Sequence, residues 1–152
     1  MAGIDAYTLF AQNQNLTMSV AGTDSTNILD LNQGLDAFGN VLANPDIGMG
    51  KPVFVDIEIG TAAAGATATS QWQLMSAPDA STTTDSGVAG SWTTINETGV
   101  IPMASLVQGY HIHMAVPPYA GQYLKLTQIT GTAAFTAGSY SAWLSGEPAS
   151  TV

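Results

Sequence analysis

Cysteine is absent from the 152 residues, Lys and Arg together number 2, and charged residues of either sign make up only 9%. Without cysteine there is no disulfide framework, no thiolate nucleophile and no Cys-ligated zinc. The two cations are Lys51 and Lys125. Holding a phosphate backbone takes several cations, so a nucleic-acid partner is not expected, and neither is docking on an anionic membrane. No apolar run approaches the roughly 18 residues of a membrane-spanning helix. Met1-Ala2-Gly3-Ile4-Asp5 lacks the basic and then apolar order of a signal peptide, so a soluble protein made in a cytoplasm is expected.

What is present is a chain of ordinary apolar content, 45%, with 11 acidic residues and a formal net charge of −9. A single domain of this length buries roughly 70% of the surface that its unfolded chain exposes, so a substantial core is available. Solubility rests on Ser, Thr, Asn, Gln and Gly more than on charge.

Period-2 patterning dominates the middle and the end of the chain, as in half-buried strands. After Pro52, the residues Val53, Val55, Ile57 and Ile59 share one face, and Phe54, Asp56 and Glu58 the other. The Ala/Gly/Thr stretch from Gly60 to Thr69 reads as a surface turn. Ser70 to Met75 alternates with Trp72 and Leu74 inward, and Pro78 to Gly90 is a long polar loop. Tyr110 to Val116 alternates until Pro117-Pro118, and Gln122 to Ile129 follows with Leu124 and Leu126 inward. Ala133 to Thr136 and Ser139 to Leu144 are separated by Gly138; Asn15 to Val20 and Asn27 to Leu31 complete the set. Only Pro102 to Val107 suits a helical turn. Short strands punctuated by Gly and Pro predict an all-β antiparallel sandwich over residues 16–146, with a C-terminal tail at 147–152.

Residues 1–15 differ. Ile4, Tyr7, Leu9 and Phe10 precede the polar run Gln12-Asn13-Gln14-Asn15, a pattern that suits an N-terminal arm hinged onto the sandwich. An edge strand of the same domain is the alternative. On the arm reading, these four residues are interface candidates, and deleting residues 1–12 should leave a folded protein with weaker association. Trp92, next to the Gly90-Ser91 loop, is the fifth candidate.

Catalytic patterns are poorly supported. His111 and His113 point to one strand face and have the spacing to chelate a metal. The next residues, Met114 to Pro117, supply no third ligand, so a solvated strand face explains the pair better. No Gly-x-Ser-x-Gly elbow presents a serine to either histidine. Asp56 and Glu58 share a face and are too close in sequence to flank a sugar ring from opposite sides. Gly48 to Pro52 lacks the phosphate-loop frame, and Pro52 blocks the helix such a loop needs. Asp30 to Asp36 lacks the glycine and closing glutamate of a calcium loop. No enzyme, cofactor or metal site is expected. Trp72, Tyr123, Tyr140 and Trp143 suit a sandwich core first and a sugar-stacking platform second.

Several stretches taken in order carry a resemblance. They are Thr23 to Leu31, Asp46 to Val55, Gln71 to Ser76, Gly99 to Leu106, Val116 to Pro118, Gln122 to Leu126 and Gly131 to Gly138. Together they resemble the capsid cement (decoration) proteins of tailed bacteriophages, of the type known from a Bordetella phage, over roughly residues 20–145. The resemblance implies a jelly-roll sandwich without catalytic activity on the outer surface of the virion. There it would contact the major capsid protein, bridge capsomers and resist internal DNA pressure. Where many members carry Arg, this chain has Gln122, which bears on any contact made at that position. Association with itself as a dimer or trimer is expected, because decorating units match a symmetry axis of their platform. A carbohydrate- or receptor-binding sandwich of a virion is the alternative function, with Trp92 or Trp143 as its exposed aromatic.

Overall fold

The computed structural model describes residues 8–16, 20–31, 52–81, 83–84 and 86–146. Two antiparallel sheets face one another. One is four-stranded in the order β1-β10-β4-β8, and the other is six-stranded along β2-β9-β5-β6 with β3 beside β9 and β7 beside β5. The strands are β1 Leu9–Asn15, β2 Gly22–Asp24, β3 Leu29–Asp30, β4 Phe54–Ala64, β5 Thr69–Ala77, β6 Thr93–Glu97, β7 Ile101–Pro102, β8 His111–Ala115, β9 Tyr123–Gly131 and β10 Ala137–Ser145. The chain crosses between sheets on leaving β1, β3, β4, β7, β8 and β9, which winds the two sheets as a jelly roll.

The alternation explains the packing. Val55, Ile57 and Ile59 of β4 meet Trp72 and Leu74 of β5 and Leu124 and Leu126 of β9 in one buried core, with Tyr140 and Ala142 of β10. At the predicted helical position there is a single 3-10 turn, Met103–Ser105. Two local expectations need correction. Gly60 to Ala64 is strand, because β10 pairs along it as far as Ala137 opposite Ala64, and the turn shrinks to residues 65–68. Ala133 to Thr136 is connection between β9 and β10.

The larger correction concerns the N-terminal arm. Leu9–Asn15 is an edge strand of the four-stranded sheet, paired with β10 from Leu9 opposite Trp143 to Asn15 opposite Ser139. Phe10 and Ala11 are fully buried in the core. The polar run did not act as a hinge because its backbone is spent on the ladder and Gln14 is spent on a clamp. The Gln14 amide donates to Asp24 O at 2.9 Å and accepts from the Thr26 amide at 2.8 Å. Ile4, Tyr7 and the tail at 147–152 lie outside the described residues.

Both open sides of the sandwich are bridged. On one, Asn27 donates from its backbone to Phe10 O at 2.9 Å and from its side chain to Leu9 O at 3.0 Å. On the other, the Asn96 amide of β6 donates to Ala115 O of β8 at 2.8 Å. Edge strands bridged in this way offer fewer free groups to a passing strand.

Candidate functional site: the sheet faces and loop ends

The outward face of the four-stranded sheet collects the acids and histidines. Antiparallel register sets Asp56 opposite His113 and Glu58 opposite His111. On the far side of β4, Trp143 stands opposite Asp56 and Ser141 opposite Glu58. The two imidazoles stack, with ring centroids 6.2 Å apart and planes 13° from parallel. His113 Nδ1 lies 2.5 Å from Asp56 Oδ1, and Asp56 is fully buried although it points to the outer face. His111 and His113 therefore share a face as their spacing predicts, but one of them is committed to a carboxylate. Among the described residues, no group of three or more His, Cys, Asp or Glu side chains has the geometry to hold a metal ion.

The aromatic platform is not assembled. Trp72 and Tyr140 are in the core, edge to face at 5.7 Å between ring centroids, and Tyr123 is buried too. Trp143 is half-buried beside Asp56. Trp92, expected to be exposed, is half-buried with Lys125 Nζ over its ring at 4.7 Å from the centroid. The same ammonium donates to Asp24 at 2.8 Å, and the Thr127 hydroxyl donates to that carboxylate at 2.7 Å. Partial burial opposes ionisation of Asp24, and these two donors with the Lys125 charge overcome it, holding the carboxyl below its usual range. Lys125, Trp92 and Asp24 thus form a surface clasp across the six-stranded sheet. A lone cation beside an aromatic gave no sequence signal, since they are far apart in the chain.

One end of the sandwich is organised by two acids. Asp79 is buried and opens the long loop. Its carboxylate accepts from the Ser81 amide at 2.7 Å, the Ser86 amide at 3.0 Å, the Ser86 hydroxyl at 2.8 Å and the Tyr123 hydroxyl at 3.3 Å. Burial pushes against its charge, but the donors prevail and its pKa is lowered. Asp30 accepts from the Gln122 amide at 2.9 Å, and Gln122 is fully buried. The position where many of the resembling proteins carry Arg is, in this chain, an internal strut. Asp79 was missed because one aspartate after a proline looks like any loop residue; a local Asp-x-Ser pattern was its only signal.

Exposed large apolar side chains lie in loops at the two ends. Ile28, Val88 and Tyr119 stand where β5 ends and β9 begins; Val20, Val100 and Val107 stand toward the other end. Among the described residues, no helix is long and apolar enough to cross a membrane.

The Bbp16 family model matches residues 10–144, from the start of β1 nearly to the end of β10. The chain belongs to the Bbp16 family. That name points to a Bordetella phage protein. No curated protein matches the chain. The match takes in Phe10 and the whole of the sandwich core, so the edge strand β1 lies within the Bbp16 domain.

Proposed function

We propose that this Bbp16-family protein is a structural cement protein that binds the outside of a phage icosahedral shell, contacts its major capsid protein and bridges neighbouring capsomers. Family membership over residues 10–144 carries the reading. The form of the molecule supports it. A jelly roll with both open sides bridged is a stiff unit, and its exposed apolar side chains sit at two ends, as a bridge between two neighbours requires. Each contact need be no larger than a modest interface, because a unit touching two capsomers gains by avidity. Self-association as a dimer or trimer would multiply those contacts at a symmetry axis. A net charge of −9 keeps the free protein from being sequestered on nucleic acid before it reaches the shell.

Co-sedimentation of the purified protein with undecorated, expanded capsids tests the proposal. Binding should saturate at a fixed copy number per shell, and that number reports the symmetry position. A folded, monodisperse protein that stays in the supernatant at all concentrations overturns the reading.

A further inference from the structure

The outer face of the four-stranded sheet carries a second feature, away from the Asp56–His113 pair. Three adjacent strands lose their register at the same level. In β1 the pairing steps from Ala11 opposite Ala142 to Gln14 opposite Tyr140, so β1 has an extra residue there. In β4 it steps from Thr61 opposite Ser139 to Ile59 opposite Tyr140, which leaves Gly60 as the extra residue, and a further shift lies between Ala137 and Ser139 of β10. Bulges bend a strand and re-aim its side chains. Where these coincide, an open groove of about 590 Å³ forms, lined by Asn13, Asn15, Thr61, Ala137, Gly138 and Ser139. That size falls within the roughly 300–1,000 Å³ of small-molecule sites.

The backbone around the groove is held in unusual conformations. Asn13 is left-handed at φ 50°, and its amide N–H donates to Ser141 Oγ at 3.0 Å. Gly138 has φ 127°, and a Cβ there would stand 2.6 Å from Leu16 Cδ1. Gly60, the bulged residue of β4, stands beside two of the lining side chains: a Cβ on it would lie 3.4 Å from Asn13 Oδ1 and 3.5 Å from Ser139 Oγ. Strained backbone of this kind persists where the surroundings impose it, and it gathers at binding sites.

The chemistry of the lining selects the ligand class. Among the described residues its polar side chains are two amides and two hydroxyls, with no cation to hold a phosphate or carboxylate and no carboxylate to hold an amine or a metal ion. An amide presents a donor and an acceptor side by side, which matches adjacent hydroxyl groups. The described lining also has no aromatic wall, which favours a ligand with little apolar surface. We infer that this groove is a binding site for a neutral saccharide. Its affinity is that of an open, hydrogen-bonding site, and so weak for a single copy. On a shell, the cement role would sum such contacts by avidity, but the site itself belongs to the free protein.

The test is a titration of the 15N-labelled full chain, followed by amide chemical shifts. The probes are neutral oligosaccharides of glucose, galactose, mannose and N-acetylglucosamine, with inorganic phosphate as the charged comparison. At least one sugar should shift the amides of Asn13, Asn15, Thr61 and Ser139 in a saturable manner, and phosphate should not. Asn13→Gly keeps the left-handed backbone and removes the amide; it should weaken binding about fivefold to tenfold. Gly60→Val crowds the Asn13 and Ser139 side chains with a residue that strands accept, and it should abolish binding while the melting curve stays cooperative. No shift at these amides with any of the sugars overturns the inference, as does binding that survives both variants. Because the titration uses no capsid, its failure leaves the cement reading to be judged by co-sedimentation alone.

Discussion

At the scale of single residues, the core contains polar atoms that cost stability. Tyr140 is fully buried, and its hydroxyl, like the Trp72 indole N–H beside it, has no hydrogen-bond partner among the described residues. Burial, with a smaller push from the Asp24 charge, raises the phenol well above its usual range, so the ring stays neutral at any ordinary pH. A buried group left unsatisfied costs about 1–3 kcal/mol. Tyr140→Phe removes the hydroxyl and keeps the ring that packs on Trp72, so its urea unfolding midpoint should equal or exceed the parent's. A clear drop would mean that an internal water holds the hydroxyl. Asp79 works in the opposite sense. Its folded pKa lies below the ordinary value of about 3.9, so its stabilising contribution is complete above that value and is lost as pH falls through the lowered one. Thermal melts should show the parent losing stability below about pH 4. Asp79→Ala should be less stable at neutral pH and lose less between pH 5 and pH 3.

Pairs and strands set the next scale. β4 and β8 are adjacent because their inward residues, Ile57 and Ile112, pair in register, and the same register brings Asp56 to His113 on the outer face. Asp56 is buried beneath the exposed His113 ring, and a buried carboxylate that loses one hydrogen-bond partner keeps its desolvation penalty. His113→Ala should destabilise by about 1–3 kcal/mol, and Asp56→Asn in that background should recover part of it, measured by urea denaturation of the parent and the two variants. Gly138 is decided by β10 and its neighbours. Its φ of 127° and the 3.0 Å approach that a Cβ would make to Ala63 Cα leave room only for glycine. Gly138→Ala should cost about 2 kcal/mol or more and lower the melting temperature.

For the whole molecule, the fate of β1 matters most. An arm is removable, but a strand that buries Phe10 is part of the fold. Phe10→Ala should cost about 3–5 kcal/mol, and deletion of residues 1–12 should yield a destabilised or unfolded chain, visible as loss of a cooperative melt. A folded, stable deletion variant would restore the arm. The long-range character of the fold is general: β2 and β3 pair with β9, and β1 with β10, nearly the full chain length away.

The strand faces were legible because burial follows a period of two. Val55, Ile57, Ile59, Trp72, Leu74, Leu124 and Leu126 announce their inward direction by composition alone. β6 was not, since Thr93-Thr94-Ile95-Asn96-Glu97 alternates weakly and is a strand only because β5 pairs with it. The groove was invisible for a related reason. Asn13, Thr61 and Ser139 carry no motif, and only three coincident register shifts bring them together.

Local pattern was enough to give the class of the molecule. Its alternating apolar residues require sheets that share a core, and two cations against 11 acids set a formal net charge of −9. These are properties of composition and local period, which a chain carries wherever its parts lie. The tertiary structure alone decided that β1 is a strand, that Gln122 and Asp79 are internal, and that Trp92 lies beneath Lys125. Each depends on a partner distant in the chain, and pairing energy between distant residues leaves no trace in local pattern.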